Sequence, residues 1–241
     1  MKTNSKSNLI GLFKCCFFIQ TIIAISLVLN PFNSTNANEK KIYRYVAIGD
    51  SYTIGEGVSK INSWPSQLTA KLIKASISIE LIANPSQTGW ATTNAIQSEL
   101  PILRQSQPNF VTLLLGFNDW IRHSNGDLFK KKLTTIIDAI LKEIPSKKQL
   151  LVVTIPDFSC SPKGSQFGFG KSAVNGISRF NSIIKEISKK KGLALVDIFT
   201  LSQELCKEPE MFAKDGLHPS AKQYEKWVDA ILPTAISLFK N

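Results

Sequence analysis

The chain has 241 residues, 43% of them apolar, and carries 29 basic against 18 acidic side chains for a formal charge of +11. That length holds one α/β domain with a substantial core beside a processed segment, and it leaves no room for a second catalytic domain. Lysines cluster on or beside polar helical patterns, at Lys130 to Lys132, Lys147-Lys148 and Lys189 to Lys191, with no recognisable nucleic-acid module. The charge therefore reads as a solvated surface, suited at most to a membrane surface or an anionic glycan, and nucleic acid is excluded as a partner.

Residues 1–37 have the three parts of a secretory signal peptide: Lys2 and Lys6, an apolar run from Cys15 to Leu29, and the small-x-small site Thr35-Asn36-Ala37. Cleavage there leaves a domain at 38–241 that is secreted or periplasmic, with a charge of +8, because Lys2, Lys6 and Lys14 depart and no acid does (11 − 3). Lys14 interrupts the apolar stretch, so an uncut membrane anchor is the alternative. Cys15 and Cys16 lack the small residues that precede a lipid-attachment site. The mature chain then keeps Cys160 and Cys206, an even pair in an oxidising compartment, and a disulfide is expected.

After the leader, strand-like runs alternate with helical spacing. Tyr43 to Ile48 predicts the first strand and Trp64 to Lys74 the first helix; Ile77 to Ala83 and Thr92 to Leu100 form the next pair. Phe110 to Leu115 precedes a helix at Leu128 to Glu143, whose apolar stripe is Leu128, Leu133, Ile136, Ile137, Ile140, Leu141 and Ile144. Leu150 to Ile155, Ser172 to Lys191, Ala194 to Ile198 and Ser220 to Phe239 complete the series. Nearly continuous apolar strands are covered on both faces. The fold class is α/β, a three-layer α/β/α sandwich with a five-stranded parallel, flavodoxin-like sheet, whose ligands gather beyond the carboxyl ends of the strands. The glycine-rich stretch 163–170 fits either a lid or a connection.

The polar residues after those strands carry the chemistry. Val46-Ala47-Ile48-Gly49-Asp50-Ser51-Tyr52-Thr53 breaks an apolar strand into a turn that holds up one serine. Serine is a poor nucleophile unless a base lies within hydrogen-bond reach and a third group orients that base. Only His123 and His218 are present. His218 stands in Asp215-Gly216-Leu217-His218-Pro219, where a turn folds an aspartate back toward the ring. His123 reads as a surface or packed imidazole, and Asp119 and Asp157, which follow strands and can approach the cleft, read first as turn caps. Gly55-Glu56-Gly57 leads to Lys60 where a dinucleotide pattern needs glycine, no Walker loop occurs, and no histidine or cysteine spacing suits a metal.

Gly49-Asp50-Ser51-Tyr52, Gly89 in Gln87-Thr88-Gly89-Trp90, Gly116-Phe117-Asn118-Asp119 and Asp215-Gly216-Leu217-His218 together resemble the blocks of the SGNH hydrolases, also called GDSL esterases and lipases. The resemblance extends over nearly the whole mature chain. It implies catalytic roles for Ser51 as nucleophile, His218 as base and Asp215 as its orienting partner. It implies an oxyanion hole made by the Ser51 and Gly89 amides and the Asn118 side chain. Tyr52 stands where the family's name-giving motif has leucine, a departure that bears on pocket shape. Trp90, Phe117 and Trp120 are candidate substrate-binding rings, with core packing as the equal alternative.

The expected activity is hydrolysis of a small-molecule, lipid or carbohydrate ester through an acyl-serine, by a monomer that needs no cofactor and no metal. A carbohydrate O-deacetylase on the same fold, and a non-catalytic protein that binds an anionic glycan or membrane, are the alternatives.

Overall fold

The computed structural model describes residues 42–164 and 170–240; the leader expected at 1–37 and residues 165–169 of the glycine-rich stretch lie outside the described residues. Strands β1 (Tyr43–Gly49), β2 (Ile79–Ala83), β3 (Phe110–Leu114), β4 (Leu150–Val153) and β5 (Ala194–Val196) form one parallel sheet. Their order is β2-β1-β3-β4-β5, the flavodoxin-like winding expected from the sequence. The winding reverses direction between β1 and β3, so a crevice opens at their carboxyl ends, where the chain continues to Ser51 and Asn118.

The helices are α1 (Ser51–Ile54), α2 (Trp64–Lys74), α3 (Thr92–Asn94), α4 (Leu100–Ser106), α5 (Phe117–Ile121), α6 (Gly126–Glu143), α7 (Gly170–Lys191), α8 (Phe199–Leu205) and α9 (Ala221–Phe239). Right-handed crossovers put α2 on one face of the sheet and α4, α6 and α7 on the other, because the chain moves from β1 to β2 in one direction and from β2 to β5 in the opposite one. α9 returns to pack on α2.

Local sequence explains the long helices. In α2, Pro65 sits at the start, where its missing amide costs nothing, and Trp64, Leu68 and Leu72 recur on one buried face. The Asn125 side chain caps α6 by accepting from the Leu128 amide at 2.7 Å. Ser220 does the same for α9, which buries Tyr224, Trp227, Val228, Ile231 and Ala235. Each large side chain so buried contributes roughly 1.5–3 kcal/mol.

Three expectations are corrected here. The α6 stripe begins at Phe129, which is fully buried, whereas Leu128 is 44% exposed; a helix starting at Gly126 turns Leu128 outward. The helix expected at Thr92 to Leu100 is three segments: α3, a π-helical turn at Ala95–Glu99 that takes up an extra residue, and α4 running on to Ser106. Finally, α5 and α8 were not expected. Both are short segments that begin soon after a strand.

Cys160 and Cys206 are joined, with Cα atoms 5.7 Å apart across 46 residues of sequence. Closing a loop of that size contributes about 4 kcal/mol on the chain-entropy model. Denatured without reductant, the protein with its leader removed is expected to titrate no free thiol, and reductant is expected to lower its unfolding midpoint. Two thiols before reduction would contradict the pairing.

Candidate active site

The turn that carries Ser51 is built from steric necessity. A Cβ on Gly49 would lie 2.1 Å from Thr53 Oγ1 and 2.6 Å from the Leu114 carbonyl oxygen, so only glycine lets β1 end here. Asp50 then caps α1, accepting from the Tyr52 amide at 3.1 Å, and Gly55 at φ +83° stops the helix after four residues. Ser51 is thereby the first residue of α1, 3% exposed at the carboxyl end of β1. The Asp50 carboxyl is fully buried, and its second oxygen accepts from Asn118 Nδ2 at 3.4 Å. Burial pushes its pKa up to about 7 against the Tyr52 amide that favours the charge.

Asp215 and His218 meet as the turn spacing predicts. His218 Nδ1 is 2.6 Å from Asp215 Oδ2, and Asp215 Oδ1 accepts from the Leu217 and His218 amides at 2.9 and 3.0 Å. Burial raises the Asp215 pKa, but the Leu217 amide and the His218 ring outweigh it and hold the carboxyl below its ordinary range. The Tyr52 ring, next to Ser51, packs edge-on to the His218 imidazole with centroids 6.0 Å apart, and to Phe117 and Trp227 at 5.5 and 5.9 Å. A tyrosine in the leucine position is thus the contact that brings the serine segment and the histidine segment side by side. Gly57, at φ +83°, leaves room for that segment: a Cβ added there would lie 2.6 Å from Ala213 Cβ and 3.4 Å from Asp215 Oδ2.

The remaining predicted groups line the β1–β3 crevice. Gly89 has φ +80° and open space where a side chain would stand. Asn118 is buried in α5 and donates from Nδ2 to the Trp90 carbonyl at 2.9 Å as well as to Asp50. Arg122 Nη2 donates to the Gly89 carbonyl at 2.6 Å. Asp119 does more than the turn capping expected of it, because it accepts from the Thr92 amide at 2.9 Å and the Thr92 hydroxyl at 2.5 Å, fastening the segment after Gly89 to α5. Asp157 caps its turn through the Ser159 amide, as expected, and also accepts from Gln203 Nε2 at 2.8 Å.

The three candidate rings part company. Phe117 belongs to the core, stacked edge-on with Phe158 at 4.6 Å, and Trp120 packs on Phe158 at 5.9 Å in the space left by Gly176. Trp90 is half-buried beside Gly89. His123 is exposed, at φ +55°. One cavity of about 460 Å³ lies between Arg122, His123 and Lys132, and another of about 440 Å³ between Ile96, Arg104 and Lys142. Among the described residues no group of histidine, cysteine and carboxylate side chains is arranged to hold a metal.

A residue with no motif of its own completes the floor. Glu99 is fully buried, and its Oε2 accepts from the Gly49 amide at 3.0 Å. Burial raises its pKa to about 8, assisted by the Asp50 charge and opposed by the Gly49 amide.

These contacts give stability a pH dependence of definite sign. Asp50 and Glu99 hold their protons more tightly when folded, so the stability they contribute is complete below the unfolded carboxylate range near pH 4 and is lost as pH rises through about 7 and 8. Asp215, held below its ordinary range, is already ionised there and does not offset the loss. The unfolding midpoint is expected to fall as pH rises through those values, less steeply in Glu99→Gln; equal slopes would refute the assignment. Gly57→Ala is expected to cost about 1 kcal/mol or more of stability and to lower turnover, because the added methyl meets Ala213 Cβ and displaces the segment that carries Asp215 and His218. Unchanged turnover would show that the loop does not support the pair.

A family model described as the GDSL-like lipase/acylhydrolase family matches residues 47–226. An arylesterase of Vibrio mimicus is 24% identical over 204 residues, covering 85% of this chain and 92% of that protein. A multidomain esterase of Ruminococcus flavefaciens is 26% identical over 139 residues, which are 54% of this chain and span only 16% of that protein. Among solved structures, TesA shares the fold with a TM-score of 0.67 at 20% identity, covering 81% of this chain and 99% of that one. With the model matching across the strands and turns that assemble the crevice, the chain belongs to the GDSL-like lipase/acylhydrolase family.

Proposed function

We propose that this carboxylic ester hydrolase works by acyl transfer through Ser51, with His218 as general base and Asp215 as its orienting partner. The observation that carries the reading is the 2.6 Å His218–Asp215 contact beside the ring of Tyr52, the residue next after the serine. With Nδ1 engaged by Asp215, His218 presents Nε2 for the serine proton. The Ser51 oxygen attacks the acyl carbonyl, and the negative charge collects on the former carbonyl oxygen. The Ser51 and Gly89 amides and Asn118 Nδ2 receive that charge, Asn118 giving up its long 3.4 Å contact with Asp50 to do so. Collapse expels the alcohol, which takes the proton from His218. Water then loses a proton to His218 as it attacks the acyl-serine, and collapse breaks the ester bond to Ser51, whose oxygen takes the proton back from His218 as the acid leaves.

The substrate is a small-molecule ester. Trp90, half-buried beside Gly89, is the ring available to an acyl chain or a sugar face, and it favours an acyl ester and a carbohydrate O-acetyl ester equally. Export is supported by the leader pattern at 1–37 and the Cys160–Cys206 bond, since such bonds persist in oxidising compartments. Among the described residues no helix is long and apolar enough to cross a membrane.

Ser51→Ala is expected to abolish turnover and labelling by a fluorophosphonate, and Asn118→Ala to lower kcat roughly a hundredfold to a thousandfold. A folded wild-type protein that resists labelling would refute the nucleophile, and full turnover in Asn118→Ala would refute the oxyanion role. Rates on short-chain and long-chain p-nitrophenyl esters beside acetylated sugars assign the substrate class.

A further inference from the structure

The β1–β2 pairing stops short of the nucleophile. The last pair is Val46 with Ala83, after which β2 departs, whereas β1 and β3 stay paired as far as Gly49 with Leu114. The final residues of β1 therefore have a strand on one side and none on the other. An open amide there is buried, and a buried amide without an acceptor is costly. Two side chains fill the gap left by β2: Ser86 donates to the Ala47 carbonyl at 3.5 Å, and Glu99 accepts from the Gly49 amide at 3.0 Å.

Glu99 is an unusual choice for this task. It is fully buried, and its other oxygen, Oε1, is buried without a hydrogen bond. It is the last residue of the π-helical turn Ala95–Glu99 and lies against β1 just before α4 begins at Leu100. π-helical insertions are rare and often fall at functional sites. The group it holds is the amide two residues before Ser51. The Asp50 carboxyl faces it across the turn, and the Ser86 hydroxyl faces it from the segment after β2. Asp50 fixes the backbone beyond the turn, through the Tyr52 amide and Asn118; Glu99 fixes the backbone leading into it.

We propose that Glu99 is a positioning residue for the acyl-transfer reaction, its carboxyl replacing the missing strand and fixing the height at which β1 delivers Ser51 and the Ser51 amide to the cleft. This rests on the reading of Ser51 as the nucleophile. Acyl transfer is sensitive to such placement, since an error of about 1 Å in a reacting group costs on the order of a hundredfold in rate. A glutamine can accept from the Gly49 amide in the same way. An aspartate is one methylene too short to reach it, and a leucine fills the space but accepts nothing.

The test measures fluorophosphonate labelling rates and ester turnover in the full chain for wild type, Ser51→Ala, Glu99→Gln, Glu99→Asp and Glu99→Leu, each below its unfolding midpoint. Glu99→Gln is expected to stay within about threefold of wild type. Glu99→Asp and Glu99→Leu are expected to label and turn over at least tenfold more slowly, with KM within twofold, because placement of the serine affects the chemical step more than binding. If Glu99→Leu does not fold, Glu99→Asp and Glu99→Gln decide. Wild-type labelling rates in a folded Glu99→Asp, or a tenfold loss in Glu99→Gln, overturn the proposal. Labelling that persists in Ser51→Ala overturns the nucleophile reading instead, so the two failures are distinct.

Discussion

The parallel pairing of β1 with β3, in register from Tyr45 opposite Phe110 to Gly49 opposite Leu114, is the constraint on which the rest of the site depends. Because the two strands end level, the turns after them emerge side by side, and Asp50 and Asn118 come within 3.4 Å although 68 residues separate them. The register also explains Gly49, whose missing side chain is what lets the turn lie against the Leu114 carbonyl. Shifting the pairing by one residue would reverse the faces of β1 and carry Ser51 away from the crevice.

Acids are concentrated below this crevice to a degree that stability alone disfavours. Asp50, Glu99, Asp119 and Asp157 are each at most 5% exposed, and each accepts from a backbone amide. Those amides belong to Tyr52, Gly49, Thr92 and Ser159, which lie in or beside the loops that form the cleft. Buried carboxyls thus act as fasteners for amides that the end of a strand, the first turn of a helix or a loop leaves open. The cost appears in the raised titration of Asp50, Glu99 and Asp119, and what it secures is a fixed floor under the crevice.

Much of this was legible in the sequence, for identifiable reasons. Strands covered on both faces are nearly continuous apolar runs, so β3, β4 and the second half of β1 stand out, and the edge strands β2 and β5 follow from their short apolar runs. The spacing of Asp215 and His218 reports a turn, and the structure closes it with a 2.6 Å contact. Short helices escaped because α5 spans only Phe117–Ile121 and α8 only Phe199–Leu205, too few residues for a 3.6-residue period to declare itself. Phe129 escaped because the α6 stripe also accommodates Leu128, and only the Asn125 cap decides between them. Glu99 was the hardest to see. An acid within a helical pattern normally marks a solvated face, and nothing local reports that a π-helical turn rotates this one into the interior.

The edge-on contact between Tyr43 and Phe239, with centroids 4.5 Å apart, joins the first strand to the end of the last helix at the amino end of β1. Ser51 lies past the other end of that seven-residue strand, roughly 20 Å away at the usual rise per residue. The molecule therefore has two poles. A purification tag, an immobilising surface or a fused domain joined near either end of 42–240 meets the domain at the pole remote from Ser51. A short bridge between those neighbouring ends would also allow the polypeptide to be reopened elsewhere by circular permutation.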